Sequence, residues 1–268
     1  MRKQGSVLVV LIAGCAALFA ACTPAPVPAT TTTTTVAPAV DCTEIPAPYV
    51  NLSGCDLTGA NLSRSDLTGA NLTDADLTNA NLTGVNLTDA NLSYANLTSA
   101  NLSGFNPYAT SLTGANLNSA NLTDANLRYV LSGGITGTPA SLPSGYQIIT
   151  GYLIGPFAIL DGADLSGANL TGADLRNANL NRANLSDADL TGADLSGTFL
   201  VVANLTGANL TAADLGNAHL FEANLTGANL TSANLYDATL WNANLNGVIW
   251  SNTRCPNGVE QSTPCPDY

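Results

Sequence analysis

Leucine recurs at every fifth residue over most of this chain, and that regularity excludes nearly every ordinary fold. It fills Leu52, Leu57, Leu62 and each fifth position through Leu127, with Pro107 the only exception. A second register runs from Leu160 to Leu245 without a miss, and Trp250 takes the next slot. A period of five suits neither an amphipathic helix, which repeats every 3.6 residues, nor a strand, which repeats every 2. It suits a coil that turns a corner every five residues. Repeats of this kind bury a continuous core only by stacking on one another.

The unit reads A-[ND]-L-x-x. The leucine points inward at the middle of each short side, and the small residue two positions earlier points inward near a corner. The position two after the leucine favours Gly, Asp, Asn and Ser, the residues that turn a chain. Asn or Asp and Thr or Ser flank the leucine and face outward. If four sides close one coil, residues 20 apart stack at about 4.8 Å. Each buried leucine then contributes roughly 1.5–3 kcal/mol against the chain entropy of so regular a path.

This pattern resembles the pentapeptide-repeat family over residues 51–130 and 158–250. The resemblance implies an all-β fold, a right-handed quadrilateral parallel β-helix, here as two stacks of about four coils interrupted by a loop and hairpin. It specifies a fold and leaves the function open. The expected organisation is a leader (1–22), a Pro/Thr-rich tether (23–41), an N-terminal cap (42–51), stack 1 (52–130), an insertion (131–157), stack 2 (158–250) and a disulfide-bearing tail (251–268). The spacing of 33 between Leu127 and Leu160 breaks the register. The insertion between them carries two β-prone runs flanking Thr150-Gly151, which predicts a hairpin turn there. Whether the stacks form one rod or kink is left open by the sequence.

The leader MRKQGSVLVVLIAGCAALFAAC pairs Arg2 and Lys3 with an apolar run, as an export signal does. Two cysteines compete for lipidation. Cys15 follows IAG, the better lipobox, and Cys22 follows a segment of more normal length and precedes the tether; Cys22 is preferred. A cleaved signal without a lipid is the simpler alternative. Localisation is accordingly expected outside the cell membrane, lipid-anchored or secreted. Four cysteines remain, in two local pairs at the ends of the array. Oxidising surroundings favour Cys42–Cys55 and Cys255–Cys265 over a metal site, which no histidine or CxxC spacing supports.

The chemistry-bearing residues are few. One histidine, His219, stands at an outward position, and neither a nucleophile elbow nor a phosphate loop is present. No enzyme activity and no cofactor are expected. Asp174, Asp194 and Asp214 stack as an outward ladder that is a candidate for cation binding, though Asp and Asn interchange freely at this position. The side centred on Leu180, Leu200, Leu220 and Leu240 departs furthest from the pattern. Phe199, His219 and Thr239 replace Asn or Asp, Val201, Phe221 and Trp241 replace Thr or Ser, and Val202 and Glu222 take corners. A contiguous apolar strip on an exposed face marks an interaction surface, for an unknown protein or a second copy. The alternative is that the tether, the hairpin or the tail covers it.

Nucleic acid is excluded as a partner, because five Arg and no Lys outside the leader face 19 acidic residues. The family includes DNA mimics that inhibit a topoisomerase, which supplies an alternative function. Here residues 51–250 hold 15 acidic residues and four Arg, a net of −11. DNA of the same ~40 Å length carries about 24 charges. The low charge density and the export signal both disfavour mimicry. Thr ladders such as Thr58, Thr78 and Thr98 also suggest ice or carbohydrate binding, but threonine is simply a good strand residue.

Overall fold

A computed structural model describes residues 42–43, 45–106 and 109–265. The leader, the tether, Cys15, Cys22 and Pro107 lie outside the described residues.

One pentapeptide shows why the motif folds as it does. In residues 204–208 all five backbone N–H groups find acceptors. Asn204 N–H donates to Ala183 O in the coil below (2.9 Å), and Leu205 and Gly207 N–H donate to Asn224 O (2.7 Å) and Thr226 O (2.9 Å) in the coil above. Ala208 N–H closes the corner turn on Leu205 O at 3.0 Å. The fifth donor, Thr206 N–H, has no backbone acceptor and is taken by the side-chain Oδ1 of Asn204 at 3.2 Å. Asn or Asp is therefore favoured before the leucine, because a short side-chain oxygen reaches that amide.

The corner residue adopts positive φ throughout, 69° at Gly207 and 60° at Val202, which favours Gly, Asn and Asp. Larger corner residues impose a rule on the next coil. The ring of Tyr94 lies across Gly114, 20 residues on, where any Cβ would collide with it. Tyr49 covers Gly69 in the same way.

Successive coils pair in parallel at a spacing of 20 residues, giving the four-sided right-handed helix that the family resemblance implies. Side A runs Asn51, Asn71, Asn91, Ser111, Leu131, Ile159, Asn179, Phe199, His219, Thr239. Leucines and alanines fill the interior, with Leu185, Leu205 and Leu225 fully buried.

The ladder continues past residue 130, where the leucine periodicity stops. Leu131, Thr136 and Ser141 still pair with Ser111, Asn116 and Asn121. Leu131 then pairs with Ile159, 28 residues on, so one coil carries eight residues more than the usual 20. The extra length builds an antiparallel hairpin of β1 (Gln147–Ile149) and β2 (Tyr152–Ile154). Its two-residue turn is Thr150-Gly151, both at positive φ (48° and 79°), as a tightly twisted hairpin demands. The hairpin alternates between the two cores. Ile148 and Leu153 pack on the first, and Ile149, Tyr152 and Ile154 on the second. Buried Ser132 fills the leucine slot beneath and accepts Leu153 N–H at 2.9 Å. The stacks share one backbone ladder along side A while their apolar cores are divided.

Disulfides sit at both ends of the array. Cys42–Cys55 and Cys255–Cys265 have Cα separations of 5.5 and 5.6 Å. At the C-terminal end β3 (Thr253–Arg254) pairs with β4 (Glu260–Gln261), and Arg254 also continues the ladder from Asn234. Leu57 and Ala60 at one end, and Ala243, Leu245 and Val248 at the other, are only partly buried.

Candidate functional site

On three sides of the second stack the outward surface is a lattice of hydrogen-bonded polar side chains, interrupted by exposed Tyr236 and by Ile249 in the last coil. Asn209 is typical. Its Nδ2 donates to Asp189 Oδ1 (3.2 Å) and Thr191 Oγ1 (2.8 Å) one coil below, and its Oδ1 accepts Thr211 N–H (3.2 Å) and Thr211 Oγ1 (2.6 Å). The same bonding occupies the threonine ladders singled out in the sequence. Thr78 and Thr98 hydroxyls donate to Asp76 and Asn96 at 2.6 Å. These surfaces have their polar groups committed to the fold.

The Asp174–Asp194–Asp214 ladder is paired in register, but it is not an open cation site. Arg176 donates to both oxygens of Asp174, at 2.9 and 2.7 Å, and its Nε lies 3.5 Å from Asp194. The Arg176 bond holds the Asp174 carboxyl below the usual carboxylate range. Asp214 accepts Gly216 N–H and Asn234 Nδ2, at 2.9 and 2.8 Å. No metal-holding cluster of three His, Cys, Asp or Glu occurs among the described residues.

Side A of the second stack is the exception. Phe199 is 43% exposed, Val202 50% and Trp241 58%; His219 is exposed, and Val201 and Phe221 are half-buried. The rings stack along the solenoid axis. Phe199 and His219 lie 4.9 Å apart at 13°, Phe221 and Trp241 4.9 Å apart at 26°. Ring faces turned towards one another leave ring edges for solvent, an arrangement suited to flat apolar contact and poorly suited to stacking on a sugar. A cavity of about 470 Å³ lined by Leu240, Trp241 and Pro256 adjoins the end of the strip.

These substitutions remove the fifth hydrogen bond of the repeat. With Phe199 in the Asn position, Val201 N–H borrows Asn181 Oδ1 from the coil below at 2.9 Å. With His219 and Thr239 there, Phe221 and Trp241 N–H have no acceptor among the described residues. Each such bond contributes about 0.5–1.5 kcal/mol net. Side A therefore carries aromatic residues at the expense of the bonding that stabilises every other side.

The strip is longer than the sequence showed. Leu131, 44% exposed, and half-buried Ile159 stand in the same outward column, directly below Asn179 and Phe199. The 28-residue coil hid Leu131. Ile159 left a legible signal, since it stands 20 residues before Asn179 in an Asn/Asp slot. At the adjoining corner Arg128 lies 4.5 Å over the Phe157 ring, and Tyr129 packs against Phe157 at 5.6 Å.

A family model for pentapeptide repeats matches residues 51–89, 90–128, 158–197 and 203–242 in eight copies. The chain belongs to the pentapeptide repeat family. Similar solved structures include HetL, a pentapeptide repeat protein involved in heterocyst differentiation regulation from the cyanobacterium Nostoc sp. strain PCC 7120. It is 28% identical over 80% of this chain and 90% of its own, with a TM-score of 0.39. A pentapeptide repeat protein from the Arabidopsis thaliana thylakoid lumen is 33% identical over 35% of this chain and 66% of its own, with a TM-score of 0.35. QnrB1, a plasmid-mediated fluoroquinolone resistance protein, is 20% identical over 75% of this chain and 82% of its own, with a TM-score of 0.26. No curated protein matches the chain.

Proposed function

We propose that this pentapeptide repeat protein is an exported, non-enzymatic binding solenoid, anchored to the outer face of the cell membrane through lipid on Cys22, that presents side A of its second stack as a contact surface. The observation that carries the binding role is the exchange made along that side. Phe199, His219 and Thr239 replace the residue that caps the amide two positions on, while Phe199, Val202 and Trp241 stay exposed. A side selected for folding alone would keep the Asn or Asp that the other three sides keep from Asp164 to Asn244. The export signal, the tether and the disulfides support an extracellular setting, where disulfides persist.

Intact cells expressing the protein, treated with an external protease and then fractionated, test the setting. The protein should be digested from outside and recovered with membranes, and Cys22→Ala should release it while Cys15→Ala should not. Protection from the protease, or recovery of the wild type in the cytoplasm, would sink the export reading.

A further inference from the structure

We propose that the occupant of side A is a second copy of this chain, docked face to face with the two solenoids antiparallel, so that Arg182 of each copy meets Glu222 of the other. This deepens the binding reading above and rests on it. The two-fold axis would lie in the plane of the face, along the rung Phe199–Val202.

One corner column borders the strip. Arg182, Val202 and Glu222 occupy the same corner in three consecutive coils, each at positive φ of 59°, 60° and 56°. Arg182 and Glu222 thus stand one rung, about 4.8 Å, on either side of Val202. A two-fold axis along the strand direction reverses the solenoid axis and keeps each column opposite itself. Around the Val202 rung it brings Arg182 opposite Glu222, and by symmetry Glu222 opposite Arg182. Phe199, Val201 and Val202 then meet their own counterparts at the centre. Asn179 faces His219, and Asp161 faces Trp241, whose indole N–H can donate to that carboxylate.

Neighbouring registers fail on charge. An axis through the Arg182 rung sets Arg182 against itself, and one through the Glu222 rung sets Glu222 against itself. An axis along the solenoid instead places Arg182 opposite the far corner residue Asn177, with no charge complement. The groups facing the interface are available. Arg182 is 69% exposed at its side chain and bonded only to Asp161, through Nε at 3.0 Å and through Nη2. Glu222 is exposed and has no ion-pair partner among the described residues.

Size sets the strength. Five rungs from Ile159 to Thr239 span only about 20 Å, so the patch falls short of the roughly 800 Å² per partner of a standard interface. The dimer belongs to the weak, transient class, and charge rather than area selects its register.

Sedimentation velocity of the purified protein from about 5 to 300 µM, at physiological salt, reads the association directly. The wild type should dimerise within that range. Arg182→Glu and Glu222→Arg should each weaken association at least tenfold, because each places like charges opposite one another twice. The double variant should recover most of the wild-type affinity. A wild type that stays monomeric to 300 µM, single variants that still dimerise, or a double variant no better than the singles would each overturn the proposal. Those failures leave the binding reading of side A standing. That reading falls instead if replacing Phe199, Phe221 and Trp241 by Ser lowers the unfolding midpoint of the monomer by about 10 °C or more, since the strip would then be a covered seam.

Discussion

Asn204 offers the sharpest test of why the repeat demands Asn or Asp. Its Oδ1 accepts Thr206 N–H at 3.2 Å and Thr206 Oγ1 at 2.6 Å, and its Nδ2 donates to Asn184 Oδ1 at 3.0 Å. Asn204→Ala removes all three bonds and leaves the amide of Thr206 without its cap. Asn204→Asp keeps the acceptor and loses only the donor to Asn184. At about 0.5–1.5 kcal/mol per bond, discounted for partial exposure, Ala should cost about 1.5–3 kcal/mol and Asp about 0.5–1 kcal/mol. For a domain of this size 1 kcal/mol moves the midpoint by roughly 2–4 °C. Thermal unfolding followed by circular dichroism at pH 7 should show a drop of about 3–12 °C for Ala and about 1–4 °C for Asp. Equal drops would refute the reasoning, because the cap to Thr206 would then contribute nothing beyond the rung bond.

The reverse change on side A should stabilise. His219→Asn gives Phe221 N–H its missing acceptor and should raise the midpoint by a few degrees, with retained or lowered stability counting against the exchange described above. Core position should grade the cost of truncation. Fully buried Leu205→Ala should cost about 3–5 kcal/mol in chemical denaturation, and half-buried Leu57→Ala at the end coil well under half of that. Acid should weaken the fold. Asp56, Asp66, Asp164 and Asp189 are held below the ordinary carboxylate range by the Thr or Ser hydroxyl two residues on and then by its amide. A depressed folded pKa contributes stability that is fully present above the unfolded value and is lost as pH falls through the folded one. Midpoints measured from pH 6 to pH 2 should therefore hold above about pH 4 and decline below it. A midpoint flat to pH 2 would contradict those bonds.

Most of the fold was legible because the repeat is local. Leucine, small residue, turn residue and polar flank each report one position of a five-residue side, and the pairing of Cys42 with Cys55 and of Cys255 with Cys265 followed from proximity. The splice was harder. Leu131, Thr136 and Ser141 lack the leucine signature yet remain on the ladder, because backbone pairing across coils tolerates any outward residue. Eight extra residues then shift the register, so Leu131 could not be aligned with Ile159 by counting in fives or twenties. What occupies the Asp ladder was not legible for another reason. Arg176 stands two residues from Asp174, and only its rotamer in three dimensions shows that it lies along the Asp column. The aromatic strip was visible in sequence, but the missing amide caps beneath it were not.

Phe199, Phe221 and Trp241 serve contact rather than folding in this reading of side A. Thermal unfolding of the Phe199→Ser, Phe221→Ser, Trp241→Ser variant beside the wild type, at a concentration of about 1 µM where both are monomeric, tests it most directly. Unfolding should stay cooperative with a midpoint within a few degrees of the wild type, because these side chains cap nothing and the core lies beneath them. A midpoint lower by 10 °C or more, or loss of the cooperative transition, would show that the strip is part of the folded interior and contradict the account.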